Sequence, residues 1–363
     1  MIPVTGDAAI PDTAGEAGER DALNGSISQI AREAGVSKMT ISRVLNGHPH
    51  VSEKTRRKVQ KIVRQRGFHV NLSARHLSRG TRFPMAAVVT GLEDLFLNNI
   101  YHALIRSIED AMKQRGHAIA LFNIPRTSAS SPLDPTLELL AANFESLIFK
   151  SVILLGPPTH DSRIGFLADR GVRGLVVCSE KIAKGFGSIG VDNAEGIRMV
   201  VDHLVEHGHR RIGFVEGPRD LSDARERSAA FCATMKQRGL KVDRKDIVAG
   251  DFTREGGRHA AHHWVKTGEL PDAIVAANDD MAAGLCDVFT QSGIRIPEQV
   301  SITGFDGTLL ARQLDPALTT VAQPLAAIGE AVAEATVSER FDLELRLPPV
   351  LFEGRSVRRI PTE

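Results

Sequence analysis

The sequence predicts two fold classes on one chain: a small all-α head, followed by an α/β body of two lobes with parallel sheets. Three observations predict this. Between Ile27 and Val63 apolar residues recur at helical spacing, with Gly or Ser at the expected ends. From Met85 onward, short β-branched runs alternate with amphipathic stretches. The basic residues crowd into the head: Ser26 to Arg82 holds 13 Lys/Arg against 2 Asp/Glu, a local charge of +11 in a chain of net charge +1, leaving −10 for the remainder. A length of 363 residues fits two or three domains.

The first stretch, Met1 to Asn24, has five acidic residues and one basic one and is rich in Ala and Gly. It reads as a disordered leader without the charged-then-apolar pattern of a secretion signal, which points to a cytoplasmic protein. No apolar run approaches the roughly 18 residues of a membrane span, so no membrane partner is expected. Cys178, Cys232 and Cys286 are far apart, each within an apolar stretch, and read as buried free thiols of a reducing compartment.

In the head, Ser26 is a plausible cap for a first helix over Ile27 to Ala34, with Ile27, Ile30 and Ala31 as its apolar face. Gly35 ends it, Val36 plugs the turn, and Ser37 caps a second helix from Lys38 to Leu45. Ile41, Val44 and Leu45 form the inner side of that helix; Lys38, Met39, Ser42 and Arg43 form the outer side. Two short helices joined by a Gly-containing turn, the second polar outside, are a helix-turn-helix, and the second helix would enter a DNA major groove. Arg43 has the fork geometry for guanine O6/N7, Lys38 can donate to the same edge, and Met39 offers an apolar surface to a thymine methyl. The short hydroxyls of Ser37, Thr40 and Ser42 suit phosphates, which set register without reading sequence. A third helix follows, with Val51 as a staple, Ser52 as the cap, Val59, Ile62 and Val63 as its stripe and Gly67 as its stop.

The stretch ISQIAREAGVSKMTISRVLNGHPHVSEKTRRKV, with NLSARHLSRG after it, closely resembles the headpiece and hinge of the LacI/GalR repressors, without gaps from Ile27 to Gly80. The resemblance implies that Lys38, Met39 and Arg43 read bases, and that Ser37, Thr40, Ser42, Asn46 and His50 touch the DNA backbone. It also implies a hinge helix over Asn71 to Ser78. Alone, that segment is too short to be stable in water, and it would fold when two copies pair on double-stranded operator DNA. Leu77 would then wedge into the minor groove, with Ala74 beside it and Asn71 at the phosphates. The division that follows is a leader over 1–25, a DNA-binding head over 26–70, a hinge and linker over 71–82 and the body over 83–363.

The body's runs are MAAVVT, HAIALFNI, SVILLG, GLVVCS, RIGFVEG, AIVAAN and SITGF. Their alternation with helices over about 280 residues argues for parallel sheets covered by helices, in two lobes. Ligands of such folds lie beyond the carboxyl ends of the strands. The segments Val191 to Pro218, Ala276 to Gly284 and Ser301 to Pro324 closely resemble the same family's effector domain, a type I periplasmic-binding-protein-like fold. By that resemblance Arg227, Asn278 and Asp306 contact a small-molecule effector, as do Asn98 and Tyr101 after the first strand. Carboxylates and amides suit the vicinal hydroxyls of a carbohydrate, whereas Arg227 could instead pair with a carboxylate or phosphate. Local duties compete with these roles: Asp279 as a cap for the helix after Asn278, and Asp192 as the holder of a turn.

Three segments depart from the family's pattern. GLEDLFLNNIYH lacks its proline and aromatics, Lys150-Ser151 replaces Asp-Gly, and Gly307 follows Asp306 where a second Asp is frequent. Aromatics are scarce; Trp264 falls on a helix, leaving Phe96, Phe186 and Phe252 as stacking surfaces. The G-x-G-x-x-G match at Gly185, Gly187 and Gly190 runs into an extended stretch rather than a helix and does not read as a dinucleotide loop. His203, His207 and His209 lack a further ligand for a metal, and His262-His263 reads as surface. No nucleophile set appears. The expectation is therefore no enzyme and no cofactor, but a ligand-responsive repressor acting as a homodimer on a pseudo-palindromic operator. A co-repressor-dependent regulator with a non-sugar ligand, or a solute-binding protein of the same fold, are the alternatives. No leucine heptads follow the body, which favours a dimer over a tetramer.

Overall fold

The computed structural model describes residues 27–45, 50–65, 85–91, 99–124, 135–145 and 149–361. The chain divides into two compact units, Met1–Thr81 and Arg82–Glu363. The expected leader, the Ser26 cap, the Gly67 stop and the hinge lie outside the described residues.

In the first unit, α1 (Ile27–Ala34), α2 (Lys38–Leu45) and α3 (Glu53–Gln65) enclose one small core. Ile30, Ala31 and Ala34 meet Ile41 and Val44 from α2 and Val59 and Ile62 from α3, with Val36, Val51 and Val63 packed at the edge. The turn between α1 and α2 follows from local chemistry. Gly35 adopts φ +64°, its N–H donates to the Arg32 carbonyl, and the Val36 N–H donates to the Ala31 carbonyl. Those two bonds satisfy the last carbonyls of α1 and aim the chain into α2. Ser37 then accepts from the Thr40 N–H at 3.1 Å and Ser52 from the Thr55 N–H at 3.3 Å, so both serines cap their helices.

The second unit carries twelve strands among its described residues. The strands are β1 (Met85–Thr90), β2 (Ala118–Asn123), β3 (Ser151–Leu155), β4 (Gly174–Val177), β5 (Phe186–Val191), β6 (Ile212–Glu216), β7 (Ile247–Ala249), β8 (Ala273–Ala276), β9 (Ser301–Asp306), β10 (Thr319–Ala322), β11 (Glu344–Leu347) and β12 (Val350–Phe352). They form two six-stranded sheets, ordered β11-β5-β4-β3-β1-β2 and β12-β10-β9-β8-β6-β7. Every described pairing is parallel except β10 with β12. In each sheet the order reverses beside the first strand, β1 or β6, and that reversal opens a crevice at the carboxyl ends of the strands.

The helices are α4 (Asn99–Gln114), α5 (Pro135–Glu145), α6 (Ser162–Asp169), α7 (Asn193–Glu206), α8 (Ser222–Gln237), α9 (Arg254–Thr267), α10 (Asp279–Gln291), α11 (Leu309–Gln313) and α12 (Leu325–Val337). The chain passes between lobes three times: after Val191, where α7 joins the second lobe's core; after Ala322, where α12 returns to pack on α4; and after Leu347. No helix among the described residues is long and apolar enough to cross a membrane.

Several strands escaped the sequence reading. After its first glycine, Gly185, the G-x-G-x-x-G match lies in the fully buried strand β5. A Cβ on its Gly187 would sit 3.0 Å from the Leu343 carbonyl, so that glycine permits close packing rather than phosphate binding. Strands β7, β10, β11 and β12 are three or four residues long and carry no distinct periodic signal. Of the three cysteines only Cys286 is buried; Cys178 is half-buried and Cys232 is exposed on α8, which corrects the expectation for both. An apolar sequence neighbourhood does not say which face of a helix a residue occupies. Trp264 and Phe186 lie fully in the cores, so neither offers a stacking surface, and Phe96 lies outside the described residues.

Candidate functional site

Helix α2 presents one outward face. Lys38, Met39, Ser42 and Arg43 are all exposed, Met39 to 65%, while Ile41 and Val44 hold the helix to the core. Positions 38, 39, 42 and 43 share a side because 3.6 residues make a turn. An exposed methionine flanked by a lysine and an arginine is a surface able to meet a thymine methyl and guanine edges together. Ser37 uses its hydroxyl as a cap and also pairs it with Thr40 Oγ1 at 2.9 Å, so these two groups are already joined at the start of the helix. Thr40 is half-buried and His50 is exposed. Asn46, Asn71, Ala74 and Leu77 lie outside the described residues.

The second site is a cleft in the body. Its wall comprises Ile100, Tyr101, Cys178, Leu221, Asp223, Arg227, Phe252, Asn278, Asp306 and Gln323, and its empty volume, open to solvent, is about 450 Å³. Those residues follow β1 and β4 in one sheet and β6 through β10 in the other, so the carboxyl ends of both sheets face one space. Tyr101, Arg227, Asn278 and Asp306 all come together there, whereas Asn98 lies outside the described residues.

Arg227 is the centre of the cleft's polar network. It is 3% exposed. Its Nε donates to Asn193 Oδ1 at 2.8 Å and its Nη1 to the Ala277 carbonyl at 2.7 Å. Two carboxylates flank it, Asp306 at 3.6 Å and Asp223 at 3.8 Å. The guanidinium lies 3.7 Å from the Phe305 ring centroid, which fixes its plane. Asn278 is the N-cap of α10, accepting from the Met281 N–H and donating to the Phe252 carbonyl, so its amide has a structural duty on both sides. The cap is therefore Asn278 and not Asp279. Asp279 instead accepts from Thr308 N and Oγ1 and from Thr320 Oγ1, tying three segments beneath the cleft. Asp192 does hold its turn, accepting from the Glu195 N–H as the cap of α7.

Asp306 ends β9 at φ +125°, an uncommon backbone for a residue with a side chain. Its Oδ1 accepts from Gln323 Nε2 at 2.7 Å. Burial pushes its carboxyl well above the usual range, opposed chiefly by the Arg227 charge. Burial likewise pushes Asp279 up to about 7 against the pull of its threonine donors. Gly307 follows at φ +70°, and a Cβ there would lie 2.5 Å from Ala322, so the departure at 307 accompanies a close approach of β10. Tyr101 lies over Gly156, where a Cβ would fall 1.7 Å from the phenol oxygen. Across the cleft mouth, Asn99 donates to Asp280 at 2.9 Å, and Arg225 donates to Thr159 Oγ1 and Glu180 Oε1, both at 2.7 Å.

Gln323, Asp223 and Cys178 were missed in the sequence. Gln323 follows β10 much as Asn278 follows β8 and Asp306 ends β9, so a strand-end rule would have found it had so short a strand been legible. Asp223 stands one helical turn before Arg227. The histidines bind nothing in common: His203 and His207 rings pack 4.1 Å apart, and His209 is buried between the Leu204 carbonyl and Ser301 Oγ.

Comparison with known proteins bears on both sites. Residues 26–71 match the family described as bacterial regulatory proteins of the lacI family, and residues 201–359 match the periplasmic binding protein-like domain. The chain is 29% identical over 308 residues to catabolite control protein A of Priestia megaterium, covering 85% of this chain and 90% of that one. It is 29% identical over 339 residues to the HTH-type transcriptional repressor PurR of Klebsiella pneumoniae, covering 92% and 96%. Among solved structures, the transcriptional regulator CelR in complex with cellobiose superimposes with a TM-score of 0.68 at 26% identity, covering 92% of this chain and 99% of that one. These relatives are DNA-binding transcriptional regulators rather than enzymes, and with its helix-turn-helix and its two-lobed parallel-sheet body this chain belongs to the LacI/GalR family.

Proposed function

We propose that the protein is a transcriptional repressor that binds a pseudo-palindromic operator as a homodimer and is controlled by a carbohydrate held in the cleft of its body. The carrying observation is the exposed face of α2, where Lys38, Met39, Ser42 and Arg43 stand together on a helix fixed by its own cap and core. Two copies would place two such helices in successive major grooves, which calls for matched half-sites. Apolar residues left exposed on the body, Leu121, Leu139, Leu309 and Val350, are available to a second copy. Asn71, Ala74 and Leu77 carry the proposed hinge contacts. The regulator acts where the chromosome is, in the cytoplasm.

For the effector, support comes from the cleft's position at the strand ends and from a relative whose solved structure is a complex with cellobiose. Tyr101, Arg227, Asn278 and Asp306 are the proposed contacts, with Asn98 beside them. The effector controls DNA binding only if it favours one arrangement of the lobes over another. Release from DNA on binding would make it an inducer; tightening would make it a co-repressor.

The test is selection of binding sites from random duplexes with the full chain, followed by titration of the selected site. A two-fold related site bound with a strongly salt-dependent affinity is expected. Enrichment of a single unrepeated half-site would remove the dimer, and no enrichment at all would remove the repressor. Leu77→Ala should reduce bending of the selected duplex; unchanged bending at full affinity would remove the wedge.

A further inference from the structure

The chemistry of the cleft narrows what it can hold, on the reading that it is an effector site. The cleft has no spare positive charge among its described residues. Arg227 is its only lining cation, and it is bonded to Asn193 and Ala277 and flanked by two carboxylates. The neighbouring arginines are also engaged: Arg225 with Glu180, and Arg346 with Ser188 Oγ and with Glu226 at 3.8 Å.

The helix ends tell the same story. An anion bound at such a fold would seek the N–H groups at a helix N-terminus. Helix α8 starts at the cleft through Leu221, which makes no side-chain cap bond, yet Asp223 in its first turn already brings a carboxylate to that end. Helix α10 starts there through Asn278, which caps it, and has Asp279 and Asp280 in its first turn. Both helix starts are thus already occupied by the protein's own side chains, and at the α8 end Asp223 brings a carboxylate where a ligand's phosphate or carboxylate would go.

What the cleft does offer is acceptors. Gln323 is 8% exposed and lies on the passage from β10 to α12, one of the three links between lobes. Its Nε2 donates to Asp306, but its Oε1 is buried with no hydrogen-bond partner. A buried acceptor without a donor is costly, and a ligand that brings the donor recovers that cost on binding. Asp306 stands beside it, with one oxygen taking the Gln323 amide.

We infer that the cleft selects an uncharged ligand bearing a hydroxyl or N–H donor for Gln323 Oε1, and rejects phosphorylated or carboxylated forms of the same molecule. Gln323 then joins ligand, Asp306 and a link between lobes in one chain of contacts, and the Asp223 carboxylate, with no spare cation among the lining residues to offset it, is the excluding element.

The experiment uses the full chain and matched pairs of probes: D-glucose with glucose 6-phosphate, D-ribose with ribose 5-phosphate, and cellobiose with cellobionate. Melting temperature is read first, and titration calorimetry follows for any hit. An uncharged member should raise the melting temperature, and its charged partner should bind at least tenfold more weakly. Gln323→Met should weaken the uncharged ligand at least tenfold. Asp223→Asn should shrink the ratio between uncharged and charged members of the pair, a change that a merely structural role for Asp223 would not produce. Equal or tighter binding of the charged member overturns the inference while leaving the effector reading intact, as does unchanged affinity in Gln323→Met. A chain that no member of any pair stabilises overturns the carbohydrate reading itself, and the inference with it.

Discussion

The head and the cleft are built on opposite plans. In the head, the side chains offered to a partner are exposed and lie within six residues of one helix, and the core behind them comes from only three helices. In the cleft, most of the polar groups are buried; they come from positions as far apart as Tyr101 and Gln323, and are mostly bonded to one another already. The head therefore separates its reading surface from its stability, while the cleft uses the same groups for both. A substitution on the outer face of α2 should change recognition and spare the fold; one at the centre of the cleft should do both at once.

The largest effect should come from Arg227→Ala. Removing a buried guanidinium leaves the Asp223 and Asp306 carboxylates and the Asn193 and Ala277 acceptors without their cation, a loss of about 3 to 5 kcal/mol. Urea unfolding of the full chain should show the body melting earlier, with the head's own transition unmoved. A loss below about 1 kcal/mol would mean that the cleft is less committed than its contacts suggest, and would break the contrast.

Acidity sharpens the same contrast. The buried Asp279 carboxyl, pushed up to about 7, holds its proton in the folded body far above the pH at which it would lose it unfolded. The folded state then binds more protons than the unfolded state over that interval. Its contribution to stability is present below pH 4 and is lost as pH rises towards 7. Thermal unfolding between pH 4.5 and 7.5 should show the body losing stability from this group by at most about one proton's slope, with Asp279→Asn flattening the profile. A wild-type profile parallel to the variant's would contradict a protonated Asp279.

Arg43→Ala tests the head. It should cost about 1 to 3 kcal/mol on the selected operator and relax one base position, because the proposed bidentate contact to guanine is lost. Fluorescence anisotropy against a set of single-base variants reads this directly, and a uniform loss across all of them would make Arg43 a phosphate contact. The melting temperature should barely move, since Arg43 is exposed and takes no part in the core.

Ser37→Ala should show the smallest effect, about 1 kcal/mol of head stability, through loss of the cap on the Thr40 N–H. Helical circular dichroism of the full chain during melting can resolve it. A larger drop in operator affinity than in stability would show that the Ser37 hydroxyl also touches DNA.

Legibility in the sequence follows the same division. Ser37, Gly35, Ile41 and Val44 could be assigned from residue type and spacing because caps, turns and helical stripes are set by neighbours within four or five positions. The long body strands were legible as β-branched runs, but β5 was not, since its glycines imitate a phosphate loop until Leu343 is seen against Gly187. Asn278 and Asp306 were found in the cleft by analogy of position, yet the amide of Asn278 is taken up in capping α10, a duty the sequence had offered to Asp279.

By itself the sequence determined the head, its helix boundaries and the outward set Lys38, Met39, Ser42 and Arg43, because a helix lays out its surface by a period that residue order alone displays. It also determined that the body alternates strands and helices. Only the tertiary structure decided which strand ends share a cleft, that Gln323 and Asp223 stand in it, and that Arg227 is already engaged by its neighbours. Those facts depend on three passages between lobes bringing together groups more than a hundred residues apart. Burial then turns each of them into a partner that must be satisfied, and no spacing along the chain records that.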